Sequence, residues 1–94
     1  MNAYQPSIIQ TEFYTRNHIH NRFRLIHTVD VFQNTDVFSV FLTTESPDGY
    51  HEEFVYDIAR HPATAKEFFR LICQGDVSAT SLRDIAEDFV ASTT

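Results

Sequence analysis

The chain has 94 residues, 43% of them apolar, with two Gly, three Pro and one Cys. That composition suits one domain spanning 1–94 with a single core, and it excludes a linker, an internal disulfide and any stretch near the ~18 apolar residues of a membrane span. Seven Lys and Arg against thirteen acids leave a net charge of −6, which argues against direct nucleic-acid binding, because that needs clustered cations to displace counterions from phosphates.

Residues 1–7 read as a loose arm. Ile8 to Tyr14 alternates weakly, with Ile9, Thr11 and Phe13 on one side, and predicts a strand. The polar run 15–22 carries two Asn and reads as a loop. Phe23 to Phe32 is a clearer strand, with Phe23, Leu25, His27, Val29 and Val31 on one face and Arg24, Thr28 and Asp30 on the other. Gln33 to Asp36 predicts a tight turn, since Asn tolerates the left-handed conformation. Val37 to Thr43 is apolar on both faces, the pattern of a central strand covered from two sides. Ser46-Pro47-Asp48-Gly49 is the strongest turn signal, Pro presetting one dihedral and Gly accepting the positive φ that follows. It should lead into strand four, Tyr50 to Ile58. There Tyr50, Phe54, Tyr56 and Ile58 are expected to share a face opposite His51, Glu53 and Asp57.

Two helices should follow within 62–91. Pro62 suits a first helical turn, where its missing N–H is not needed. Ala65, Phe68, Phe69, Ile72 and Cys73 then fall on one side, and Lys66, Glu67 and Arg70 on the other. Gly75 is placed to stop that helix in the left-handed conformation, and Ser78 or Thr80 to cap the next. In the second helix Leu82, Ile85, Ala86, Phe89 and Val90 form the apolar stripe, and Arg83, Asp84, Glu87 and Asp88 the polar face. The expected fold is α+β: an antiparallel sheet of about four strands over 8–58, with a C-terminal helical hairpin packed on one face.

Residues 53–92 resemble a small bacterial protein family known as a domain of unknown function. The matching residues are Asp57-Ile58-Ala59, Val77-Ser78 and Leu82-Arg83-Asp84-Ile85-Ala86-Glu87-Asp88-Phe89-Val90. Ala59 stands where the family pattern has Ser, and Ser81 where it usually has His. The resemblance implies strands followed by two helices and implies no activity.

The residues suggest little chemistry. Five histidines (His18, His20, His27, His51 and His61) raise a small metal-binding protein as one alternative, yet no pattern supplies the third and fourth ligands of a zinc site. Cys73 lies in the apolar stripe of helix one, where a thiol is inert. With only Gly49 and Gly75 there is no phosphate loop, and no Ser sits in a nucleophile elbow. No catalytic residue, metal ligand or cofactor is therefore assigned. The stretch MNAYQPSIIQ lacks the basic start and apolar run of a secretory signal, so a cytoplasmic setting is expected.

A non-enzymatic protein-interaction or regulatory domain is the better expectation. Two helices can cover one side of a sheet, which leaves Val37, Phe41 and Val55 for a protein partner, a second copy in a homodimer, or the N-terminal arm. Residues 45–94 carry ten acids against four bases. Asp84, Glu87 and Asp88 could therefore form a contact ridge, the basis of a second alternative: an acidic inhibitor occupying a basic nucleic-acid-binding surface of another protein.

Overall fold

Three tight connections lay the first two-thirds of the chain into a meander. In the computed structural model, which describes residues 6–75 and 77–93, the strands are β1 (Ser7–Arg16), β2 (Ile19–Asp30), β3 (Thr35–Ser46) and β4 (Gly49–Ala59). They form one antiparallel sheet in the order β1-β2-β3-β4. The helices α1 (Pro62–Gln74) and α2 (Leu82–Thr93) follow, so the fold is α+β.

The β1–β2 hairpin is longer than its composition suggests. Asn17 and His18 both take positive φ (51° and 64°), the geometry of a two-residue turn whose twist matches that of the strands. Arg16 then pairs with Ile19, and 15–22 is two strand ends around a turn rather than a loop. Polar side chains are tolerated there because the hairpin tip stands in water. In the next connection the Asp30 carboxylate accepts bonds from the N–H groups of Phe32 (3.0 Å) and Gln33 (3.3 Å), so the turn falls on 31–34, ahead of the expected place. Asn34 supplies the positive φ of 52°. Between β3 and β4 the turn is as expected, with Gly49 at φ 142° and Ser46 Oγ accepting from the Asp48 N–H. The expected arm over 1–7 lies mostly outside the described residues, and Ser7 already belongs to β1.

Both helices lie on one face of the sheet. Pro62 opens α1, with His61 extended at its N-cap. Ala65, Phe68, Phe69, Ile72 and Cys73 are buried against Phe23 and Leu25 of β2, Phe38, Val40 and Leu42 of β3, and Val55, Ile58 and Ala59 of β4. Gly75 departs from expectation: its φ of −80° is right-handed, and its N–H donates to the Leu71 carbonyl (2.9 Å). From α2, Leu82 and Ala86 are buried and Phe89 packs beside them, while Ile85 sits at the exposed rim of the stripe. Ring contacts bind the layers. Phe23 meets Phe69 edge-on at 6.5 Å, and Phe68 meets Phe89 at 4.8 Å, where the helices touch.

One buried polar knot ties the segment between the helices to the sheet. Thr44 Oγ1 donates to Asn21 Oδ1 (2.7 Å) and accepts from the N–H of Ala79 (3.1 Å). Arg83 of α2 adds a rim contact, its Nε donating to Glu53 at 2.8 Å. Among the described residues no helix is long and apolar enough to cross a membrane.

Candidate functional site on the open sheet face

Among the described residues no layer covers the sheet face turned away from the helices, and the composition of that face follows from the ladder. Residues directly paired across strands share a face. Phe13, Arg22, Thr43 and Glu52 therefore form one row, and Thr11, Arg24, Phe41 and Phe54 the next. Above them runs Thr15, His20, Glu45 and Tyr50; below them lie Ile8, Ile26 and Ser39, with Tyr56 beside them on β4. Phe13 is 70% exposed and Tyr56 59%. Ile8, Tyr50 and Phe54 are also exposed. The rings of Phe41, Phe54 and Tyr56 stand in sequence, with centroids 6.3 Å and 6.4 Å apart. Exposed aromatic side chains gathered on one face are a common feature of interaction surfaces.

Around the aromatic rows, charge on this face is segregated by strand, with Asp30 further along β2. Arg22 and Arg24 stand on β2, and neither makes an ion pair among the described residues. The Nε of Arg22 is buried and has no hydrogen-bond partner among the described residues. Glu45 and Glu52 stand on β3 and β4. Tyr50 donates to Glu52 at 3.0 Å, and that bond is the main reason its hydroxyl titrates above the ordinary range, opposed by the two arginines.

A bulge in β4 decides which side chains belong here. Val40 pairs with Val55 and Phe38 with Ala59, so Ser39 alone stands opposite Tyr56, Asp57 and Ile58. Asp57 takes the left-handed φ of 60°, and its N–H donates to Ser39 Oγ (3.0 Å). Arg60 clamps the Asp57 carboxylate (Nη2 to Oδ2 2.7 Å) and reaches Gln33 through Nη1. The extra residues reset the alternation after Tyr56, so Ile58 faces the helices while Tyr56 faces outward. The grouping of Tyr50, Phe54 and Tyr56 with Ile58 fails for that reason. The expectation that Val55 lies on the uncovered face is also corrected: it lies ahead of the bulge, pairs directly with Val40 and is core, 9% exposed.

Of the other expected contact residues, Phe41 lies on the open face and is half-buried. Val37 lies on the same side and is fully buried, so it offers no contact area. Asp84, Glu87 and Asp88 are exposed on α2. β1 extends the sheet as an edge strand, so residues 7–16 do not fold over the face. Sequence reasoning missed Phe13, Arg22, Arg24 and Glu52. The signal was present in β2, where Arg22 and Arg24 alternate with the buried Phe23 and Leu25.

The histidines stand apart. His18 is in the first turn, and His20 bonds Thr15 at 3.0 Å. His27 bonds Asp36 at 2.8 Å, and His61 precedes α1. Among the described residues no three His, Cys, Asp or Glu side chains gather as metal ligands would. Burial pushes the Cys73 thiol up to about 11, the Glu12 charge adding to it.

The chain matches no protein-family model, no curated protein and no solved structure.

Proposed function

We propose that this chain is a non-enzymatic protein-interaction domain that binds through its open sheet face. The observation that carries this is the exposed aromatic surface of Phe13, Phe54 and Tyr56 around Phe41, set on a rigid sheet whose other side is filled by the helices. Side chains with few rotatable bonds on a preformed surface lose little entropy on docking. Placing two of the arginines among the rings provides polar contacts and stacking partners at the same site. The acidic-inhibitor alternative rests on three carboxylates of a single helix, which is the ordinary solvated face of such an element.

Photo-crosslinking in the native host tests this reading. A photoreactive side chain at Phe13 or Tyr56 should give discrete adducts, and one at Lys66, on the solvent side of α1, should give none. Equal labelling from all three positions, or none from Phe13 and Tyr56, refutes the reading.

A further inference from the structure

We propose that the occupant of the open face is the same face of a second copy, packed with the two-fold axis parallel to the strands. This rests on the interaction reading above and names its partner.

Charge complementarity favours this packing. Around the aromatic rows the cations, Arg22 and Arg24, stand on β2, and the acids, Glu45 and Glu52, on β3 and β4; Asp30, at the far end of β2, is engaged by the N–H groups of Phe32 and Gln33. A two-fold axis parallel to the strands keeps each row at its own level and exchanges left for right. It therefore lays β2 of one copy over the β3–β4 half of the other. Arg22 then meets the Glu52 and Glu45 side, and Arg24 meets the Phe41 and Phe54 rings, a cation over aromatic faces. The other in-plane axis, perpendicular to the strands, lays β2 on β2 and sets arginine against arginine. The pattern of charge thus selects one of the two symmetric packings.

Reach and area fit the same packing. Packed sheets lie about 10 Å apart, a gap that an Arg and a Glu extended toward each other span. Four strands at about 4.8 Å spacing and ten residues at about 3.4 Å rise make a face of roughly 650 Å², close to the ~800 Å² that each partner gives to a standard interface. Arg22 makes no ion pair among the described residues, so its charge remains to be met by a facing carboxylate. Among the described residues no other element covers the face: β1 is in the plane of the sheet, and both helices are on its far side.

Sedimentation of four proteins decides it: the wild type, Arg22→Glu, Glu52→Arg and the double charge swap. The wild type should be a dimer at micromolar concentration. Each single substitution acts twice in a symmetric interface and should raise the dissociation constant at least about tenfold. The double swap should recover most of the loss. All variants should keep the wild-type far-UV circular dichroism; should Arg22→Glu unfold the chain, Phe54→Asp, at an exposed position, takes its place and should give the monomer. A wild type that stays monomeric at about 100 µM overturns the proposal. So does a dimer indifferent to Arg22→Glu or Phe54→Asp, or a double swap no better than the single variants. The two readings fail separately. A monomer whose Phe13 crosslinks reach a different protein removes the dimer and keeps the interaction domain; a monomer without such crosslinks removes both.

Discussion

Replacing Thr44 by Val should unfold a large part of this domain's stability while leaving its shape and apolar contacts almost unchanged. Thr44 is 8% exposed, and its hydroxyl sits between Asn21 Oδ1 at 2.7 Å and the Ala79 N–H at 3.1 Å. Valine keeps the volume and β-branching but offers neither donor nor acceptor. The Ala79 N–H, in a residue only 4% exposed, is left without this partner in a site closed to water. An orphaned buried group costs about 1–3 kcal/mol, and the weakened Asn21 contact adds to it, so the expected loss is about 2–4 kcal/mol. A domain of this size holds roughly 5–15 kcal/mol and loses about 4–8 °C of midpoint per kcal/mol. Urea unfolding should show a lower midpoint with an unchanged slope, and the melting temperature should fall by at least about 10 °C. Thr44→Ser keeps the hydroxyl and loses one methyl, so it should cost only about 1 kcal/mol. Amide exchange adds a local readout, since the Ala79 N–H should become the most accelerated in the sheet–helix layer. A Thr44→Val protein within about 0.5 kcal/mol of wild type, or a Thr44→Ser protein equally damaged, would refute the idea that this knot fastens the helices to the sheet.

Phe89→Ala removes the ring that meets Phe68 at 4.8 Å, and because Phe89 is only half-buried the cost should fall near the lower end of the range for core aromatics, about 3 kcal/mol by denaturant titration. Cys73 should react slowly with a thiol reagent in the native state and quickly in denaturant, since it is buried and its thiol is held up to about 11. The same shift has a sign in stability: the unfolded thiol ionises near its ordinary 9.0 and the folded one near 11, so the unfolded state sheds its proton first and stability should fall as pH rises from 9 to 11. Melting curves of Cys73→Ala should show a shallower alkaline slope, the remainder coming from Tyr14 and Tyr50, whose hydroxyls are also held above their ordinary value. At Asp57, φ 60° penalises any β-carbon, so Asp57→Ala should be less stable than Asp57→Gly by about 1 kcal/mol even though both lose the Arg60 clamp.

Much of the fold was legible because local chemistry and global packing agree. Pro47-Asp48-Gly49 specifies a turn by backbone geometry alone, and the stripes of α1 appear at helical spacing as buried residues. What escaped was decided by longer-range pairing. The bulge at Tyr56–Ile58, held by the Ser39 hydroxyl and the Arg60 clamp, turned Ile58 inward, and Val55 went inward because the β3–β4 register sets it opposite Val40. The Asn17–His18 turn was hidden because a polar run describes a solvated hairpin tip as well as a loop. The site was half legible. The surplus of apolar side chains on β3 announced a second surface, but its arginines could be placed there only once the register of β2 against β3 was known.

Sheet order that copies chain order has a consequence for how the protein is made. Every strand finds its neighbour as soon as it leaves the ribosome, so the meander can close hairpin by hairpin with short loops only. The helices come later in the chain, and until then the sheet is a lamina with both apolar sides wet: Phe23, Leu25, Val40 and Leu42 on one, Phe13, Phe41 and Phe54 on the other. At about 5–20 residues per second, the stretch after β4 takes a few seconds to synthesise. For that interval the nascent chain is a target for chaperones and for sticking to its neighbours on the same message. Variants that slow the seating of α1 should reveal themselves first as lost yield, before any measurement on the purified protein detects them.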